Sequence, residues 1–316
     1  MTEFNNTHDF EEVTPANTMK FFATEPEQGV FDYSGAETFL SIVTPTKKYI
    51  RCHNLIWKSQ LSSWVTSPAV PWTNATLSAV LYNHAYNLVS HFGDACYSWD
   101  VVNEAFADSP AGAYDNSSIW EQIIGPEYVP MAFQAATDAV RDGNLSVKLY
   151  YNDYGIESAG AKSTAAQTLV SQLKARDIQI DGVGFESHFI VGETPSQSAQ
   201  QANMEAFIAL GVDVVVTELD VRLSLPPTVA TETQQVADFY NTVAACVGAK
   251  KGTGSHGCVG VVVWDFVDTY SWIPTTFVGQ GYGTPWLQPG GANTTLVKKA
   301  VYDGILEALT GAPEAL

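Results

Sequence analysis

VDVVVTEL (212–219) is the run on which the fold turns. Its β-branched residues are continuous rather than alternating, so a strand built from it is apolar on both faces. Such a strand belongs in a parallel sheet that is covered on each side. CYSWDVVNE (96–104) and CVGVVVWDF (258–266) read the same way. YIRCHNLIW (49–57), VKLYYND (147–153) and IDGVGFES (180–187) are further strands, and EEVTP (11–15) is a weaker one. Between them, apolar residues recur at helical spacing in LSAVLYNHAYNLVSHF (77–92), YVPMAFQAATDAVRD (128–142), AAQTLVSQLKARD (165–177), ANMEAFIALG (202–211) and TQQVADFYNTVAACV (233–247). Gly211, just ahead of the deciding strand, is a helix-stop signal. Repeated βα units leave two architectures, an open doubly wound sheet or a closed barrel.

The strand ends separate the two. Polar or ionisable groups close six strands: His53, Asn103-Glu104, Asn152-Asp153, Glu186-His188, Glu218-Asp220 and Trp264-Asp265. Chemistry spread over many strand ends is the habit of the barrel, whereas an open sheet concentrates its site at one switch point. No G-x-G-x-x-G and no P-loop follows any strand. The reading is therefore an α/β protein, a (β/α)8 TIM barrel forming one domain over 1–316. Seven strands are counted where a barrel needs eight, so the first strand is expected to be missing, ahead of residue 1.

Composition narrows the function. Hydrophobic residues make up 46% and charged residues 16%, enough for a large core and too few charges for a disordered chain. Lys and Arg number 15 against 34 Asp and Glu, a net charge of −19, which argues against nucleic acid and anionic membranes as partners. No apolar stretch has the length of a membrane span. Cys246 and Cys258 flank the Gly/Lys-rich GAKKGTGSHG and can close a hairpin-like bridge, while Cys52 and Cys96 fall in strand regions and are read as free. There is no C-x-x-C pair to suggest zinc, and no metal or cofactor is expected. N-x-S/T sequons at Asn5, Asn74, Asn116, Asn144 and Asn293 suggest a secreted glycoprotein. MTEFNNTHDF has neither the basic start nor the apolar run of a signal peptide, so that leader is expected to be absent from this chain.

Two carboxylates stand out at the strand ends. Glu104 follows WDVVN and Glu218 follows VVVT, and a charge at the end of an apolar run is costly unless it has a partner or a task. Two carboxylates at one barrel mouth are the minimal apparatus of glycoside hydrolysis.

With these motifs the chain resembles the family 10 glycoside hydrolases of fungal type, retaining endo-β-1,4-xylanases, from about residue 8 to 308. WDVVNEAF (99–106) is similar to that family's acid/base motif and VTELDVR (216–222) to its nucleophile motif. TPANTMKFFATEPEQGVF (14–31) resembles its glycone-binding segment, HNLIWKSQLSSWV (53–65) the segment after its third strand, and VVWDFVDTYSWIP (262–274) its Trp-bearing last strand, in the right order. The resemblance implies Glu104 as acid/base and Glu218 as nucleophile, with Asn103, His188 and Asp220 in support. It implies Asn17, Lys20, His53, Trp57, Gln60, Tyr154, Glu186, Trp264 and Trp272 as substrate-binding residues, and it fits a Cys246–Cys258 disulfide. Xylan or a xylo-oligosaccharide is then the expected partner of a monomeric extracellular enzyme, and a retaining mechanism expects carboxyls about 5–5.5 Å apart.

The chain also departs from the pattern. Lys58 stands where His is usual, Glu186 where Gln is usual and Gly155 where Asn is usual. Ala16, Phe21 and Cys52 replace Glu or Gly, Trp and Gly. Two alternatives follow: a weakened relative that binds xylan without efficient cleavage, or a hydrolase of another β-1,4-glycan. Lys58 is expected to offset the added charge of Glu186, making the two a compensating pair.

Overall fold

The computed structural model describes residues 9–249 and 255–311. In these, seven strands alternate with helices: β1 (Glu12–Val13), β2 (Tyr49–Cys52), β3 (Ser98–Asn103), β4 (Lys148–Asp153), β5 (Gly182–Phe185), β6 (Asp213–Ser224) and β7 (Cys258–Val263). Each matches a run read from the sequence, the weak EEVTP included. Helices Ser34–Val43, Asn74–Phe92, Tyr128–Gly143, Ala161–Ala175, Gln197–Ile208 and Val229–Gly248 fill the six intervals, and Ala300–Thr310 follows β7. Of these, Ser34–Val43 and Ala300–Thr310 were not read from the sequence. Among the described residues no helix is long and apolar enough to cross a membrane.

Contacts divide the chain into two compact units, and the division falls within β5. The first contains the residues up to Asp153 together with Thr164–Val183. In it β1 pairs parallel with β2, β2 with β3, and β3 with β4, with Asn103 opposite Asn152. Helix Asn74–Phe92 opens on a reciprocal Thr73/Thr76 capping box and buries Leu77, Leu81, Leu88 and Phe92, residues at helical spacing. It packs on Tyr128–Gly143, which turns an apolar face of Val129, Phe133, Ala136 and Val140 inward. Gly182 is required by close approach: a Cβ there would lie 2.0 Å from Cε1 of the Tyr150 ring. Cys52 and Cys96, read as free, are joined in a disulfide with Cα atoms 5.7 Å apart. Parallel pairing of β2 with β3 brings together two cysteines that are 44 residues apart in sequence.

The second unit contains Tyr154–Ser163 and the residues from Gly184 on. Its axis is β6, twelve residues long and buried along nearly its whole length. The first half of β6 pairs parallel with β7, matching Val214 to Cys258 and Leu219 to Val263. Its second half pairs parallel with the short strand His188–Ile190 and antiparallel with Gln280–Gly281. Glu218 thus sits where β6 changes partners. Helix Val229–Gly248 opens on a second Thr-x-x-Thr capping box, Thr228/Thr231, and packs against Gln197–Ile208 and Ala300–Thr310. Cys246 is bonded to Cys258, tying that helix to the start of β7. Part of the intervening loop, 250–254, lies outside the described residues, as does the Asn5 sequon.

Candidate active site

Glu104 follows the last residue of β3 in the left-handed region, φ 53°, a conformation that costs a non-glycine residue of order 1–3 kcal/mol and persists only when its surroundings hold it. Here the Glu104 N–H donates to the Asn152 carbonyl at 2.9 Å, and the next N–H, of Ala105, donates to the Tyr151 hydroxyl at 3.2 Å. Tyr151 is anchored in turn by donating to Asp153. Asn103 donates to the Glu104 carboxylate at 3.3 Å and accepts from Asn152 Nδ2 at 2.8 Å, so its amide orientation is set by a neighbouring strand end.

Lys58 reaches the same carboxylate. Its Nζ is 3.5 Å from Glu104 Oε2 and 2.7 Å from Asp115 Oδ2. Burial opposes the ammonium charge, but the Asp115 hydrogen bond and the charges of Glu104, Asp115 and Asp153 outweigh it, leaving Lys58 above its ordinary pKa. Asp115 falls to about 2: partial burial raises it, and hydrogen bonds from Lys58 and Ser117 more than reverse that. The charge of Lys58 is therefore taken up by Glu104 and Asp115. Asp115 is brought to Lys58 by the hairpin-like segment after β3, 57 residues along the chain.

A second group in this unit gathers Asn17, Lys20, Trp57 and Gln60. Lys20 Nζ donates to Asn17 Oδ1 at 3.2 Å and to Gln60 Oε1 at 2.5 Å, and it lies 5.0 Å from the Trp57 ring centre. The result is an amide–ammonium–indole patch of the kind that suits hydroxyl groups and a sugar face. His53 is placed differently. It is buried, with Nδ1 2.8 Å from Asp100 Oδ2, an oxygen shared with Arg51 at 2.5 Å, and Nε2 3.3 Å from Asn54 Nδ2. Both ring nitrogens are engaged within the unit.

In the second unit the register that sets His188 opposite Asp220 builds a relay ending at Glu218. His188 Nδ1 is 2.9 Å from Asp220 Oδ2, and its Nε2 is 3.4 Å from Glu218 Oε2 and 3.8 Å from Glu186 Oε2. The Trp272 indole N–H donates to the same Asp220 oxygen at 2.7 Å, and its ring meets the His188 ring edge-on at 4.8 Å. Burial disfavours the imidazolium, but Asp220 and Glu218 overcome it and hold His188 well above its ordinary pKa. Glu186 and Glu218 are bridged through the backbone, Glu218 N–H donating to the Glu186 carbonyl at 3.0 Å. Between Glu186 and His188 the chain bends at Ser187, φ 64°, whose N–H is held by the buried Glu157 carboxylate at 2.9 Å. Tyr154 is half-buried with Lys162 Nζ 3.6 Å above its ring. Trp264 is anchored by its N–H donating to the Leu219 carbonyl at 3.1 Å. Beside it Asp265 is pushed up to about 6, by burial and then by the charge of Asp220.

A sequence profile of glycosyl hydrolase family 10 matches residues 2–308. The chain belongs to that family. It is 49% identical over 303 residues to endo-1,4-beta-xylanase D of Talaromyces funiculosus, covering 96% of this chain and 69% of that protein. The solved structure of a family 10 xylanase from Bispora sp. MEY-1 with xylobiose superposes with a TM-score of 0.94 at 63% identity, over 98% of this chain and 90% of that one. A glycosylated family 10 endo-beta-1,4-xylanase from Gloeophyllum trabeum gives 0.83 at 35% identity, over 98% and 93%. Family membership, these likenesses and the seven alternating βα units give the (β/α)8 fold class read from the strand ends.

Seen as a family 10 chain, it groups its predicted residues in two sets: Asn17, Lys20, Trp57, Gln60, Asn103 and Glu104 in the first unit, and Glu186, His188, Glu218, Asp220 and Trp272 in the second. Sequence reasoning passed over Asp115 and Glu157, and it noted Asp153 and Asp265 only as strand-end groups without a role. Asp115 carried a usable signal, since D-x-S is an Asx-turn pattern and its Oδ1 accepts from Ser117 N–H at 2.8 Å. Glu157 matters only through the distant Ser187 N–H and carried none.

Proposed function

We propose that this chain is a retaining endo-1,4-β-xylanase that hydrolyses the internal linkages of xylan. The observation that carries this reading is the Asp220–His188–Glu218 relay, on a family 10 chain whose relatives are xylanases. A hydrogen bond donated to a carboxylate favours its charged form, which an attacking nucleophile needs. Glu218 attacks the anomeric carbon, and its oxygen forms the glycosyl–enzyme bond as the C–O bond to the leaving sugar breaks. Glu104 gives its proton to the departing oxygen. Glu104 then takes a proton from water, whose oxygen displaces Glu218 and regenerates the β-anomer. Asn103 is assigned to the sugar 2-hydroxyl, a contact that strengthens in the oxocarbenium-like transition state. Lys20, Asn17, Gln60, Trp57, Trp264 and Trp272 are assigned to substrate binding.

Residues 1–316 are read as one catalytic domain, supported by the family match over 2–308. The enzyme is further proposed to be secreted and glycosylated. Asn74, Asn116, Asn144 and Asn293 are exposed, which supports glycan attachment there. The test is release of reducing ends from xylan by the purified protein, with the product anomer followed by NMR. The β-anomer should appear first, and Glu218→Ala should lose activity by at least about four orders of magnitude. An initial α-anomer, or undiminished turnover in that variant, defeats the assignment.

A further inference from the structure

We propose that Glu186, His188 and Glu218 form a binding site for a zinc-class divalent cation. Each residue offers one ligand atom, and the three atoms lie within 4.8 Å of one another. The imidazole Nε2 is 3.4 Å from Glu218 Oε2 and 3.8 Å from Glu186 Oε2. Tetrahedral zinc with bonds of about 2.0–2.2 Å holds its ligand atoms about 3.3–3.6 Å apart, so small side-chain rotations close the site. The orientation of the imidazole is already that of a metal ligand. Asp220 Oδ2 takes Nδ1 at 2.9 Å, and the Trp272 indole N–H donates to that same oxygen at 2.7 Å. Nε2 is thereby turned toward the two carboxylates, the carboxylate–histidine arrangement that stands behind metal ligands.

Glu186 and Glu218 are 3% and 5% exposed, so the cation would enter a largely dry, anionic niche. One imidazole and two carboxylates suit zinc and its neighbours in the first transition row. Calcium needs six to eight oxygens, and magnesium keeps most of its waters, so neither matches three donors of this kind. On binding, the Nε2 proton leaves to solvent and zinc takes the nitrogen lone pair. The cation also occupies the Glu218 oxygen. If Glu218 is the nucleophile proposed above, bound zinc is a reversible inhibitor of hydrolysis, and this consequence alone rests on that reading.

Calorimetric titration of zinc chloride into the intact protein, in a non-chelating buffer, should give one saturable site. Magnesium chloride should give none. Glu186→Gln keeps the shape and removes one anionic donor, and it should weaken zinc by at least about tenfold. His188→Gln should do the same, and thermal melts identify which variant remains folded. Xylan hydrolysis should be inhibited over the concentration range in which heat is released, with each variant measured against its own zinc-free rate. The absence of a saturable site overturns the proposal, as does undiminished affinity in a folded Glu186→Gln protein. Saturable zinc binding that leaves hydrolysis untouched overturns the inhibitory role of the cation and counts against Glu218 as nucleophile. Failure to hydrolyse xylan at all defeats the functional reading while leaving the calorimetric result to stand.

Discussion

Replacing Asp220 by Asn keeps the size of the side chain and removes the charge on which the relay depends. Asp220 is fully buried, and one of its oxygens serves both His188 Nδ1 at 2.9 Å and Trp272 Nε1 at 2.7 Å. Unit charges 2.9 Å apart attract by about 6 kcal/mol at an effective dielectric of about 20, which is an upper bound. Breaking a buried pair by removing one partner costs about 3–5 kcal/mol. The low end applies here, because Glu218 remains 3.4 Å from the imidazole and the Asn carbonyl still accepts one hydrogen bond. The expected loss in the variant is therefore about 3 kcal/mol near pH 6. Its pH dependence has a definite sign. His188 is held well above its ordinary 6.5 in the folded protein, so the stabilisation it contributes is complete below about pH 6.5 and fades as pH rises through the elevated value. Urea unfolding of both proteins at pH 6 and pH 10 measures this, and the gap should shrink at the higher pH. A variant within about 1 kcal/mol of the parent at pH 6, or a gap that is the same at both pH values, would refute the charged relay.

Three further outcomes are expected. Glu12 is pushed from 4.5 to about 7 by burial, with Arg51 opposing and Asp100 adding to the rise. The folded state therefore holds a proton that the unfolded chain has lost between those values, and parental stability falls as pH rises. Glu12→Gln removes that fall, so relative to the parent it should gain about 1–3 kcal/mol on going from pH 4.5 to pH 8; a pH-independent difference in unfolding free energy would exclude this. The Cys52–Cys96 bridge closes a separation of 44 residues and Cys246–Cys258 one of 12, worth about 4 and 3 kcal/mol by chain entropy. Denaturant midpoints should show Cys52→Ala/Cys96→Ala as the more damaged pair, and the reverse order would contradict the loop-length account. Gly182→Ala drives a methyl into the Tyr150 ring and should cost about 1–3 kcal/mol; adding Tyr150→Leu should recover part of it, and strictly additive melting shifts would count against the clash.

The sequence by itself determined the βα alternation, because a continuous β-branched run such as 212–219 and apolar residues at helical spacing are local patterns with few other solutions. It also identified the two groups of strand-end residues, since a carboxylate closing an apolar run is conspicuous in one dimension. Its reach ended where partners are distant. β6 was legible to residue 219 and runs to Ser224, because its second half is stabilised by pairing with His188–Ile190 and Gln280–Gly281. Cys52 and Cys96 were read as free because only the register of β2 on β3 puts them in reach. The Lys58 ammonium bonds Asp115 and lies beside Glu104, and the first of these partners is supplied by the segment that follows β3, which local pattern does not reveal. Residue type and local period decide which element forms and which of its ends carry charge. Which charge meets which is a matter of a few ångströms between segments tens of residues apart, and only the folded chain decides it.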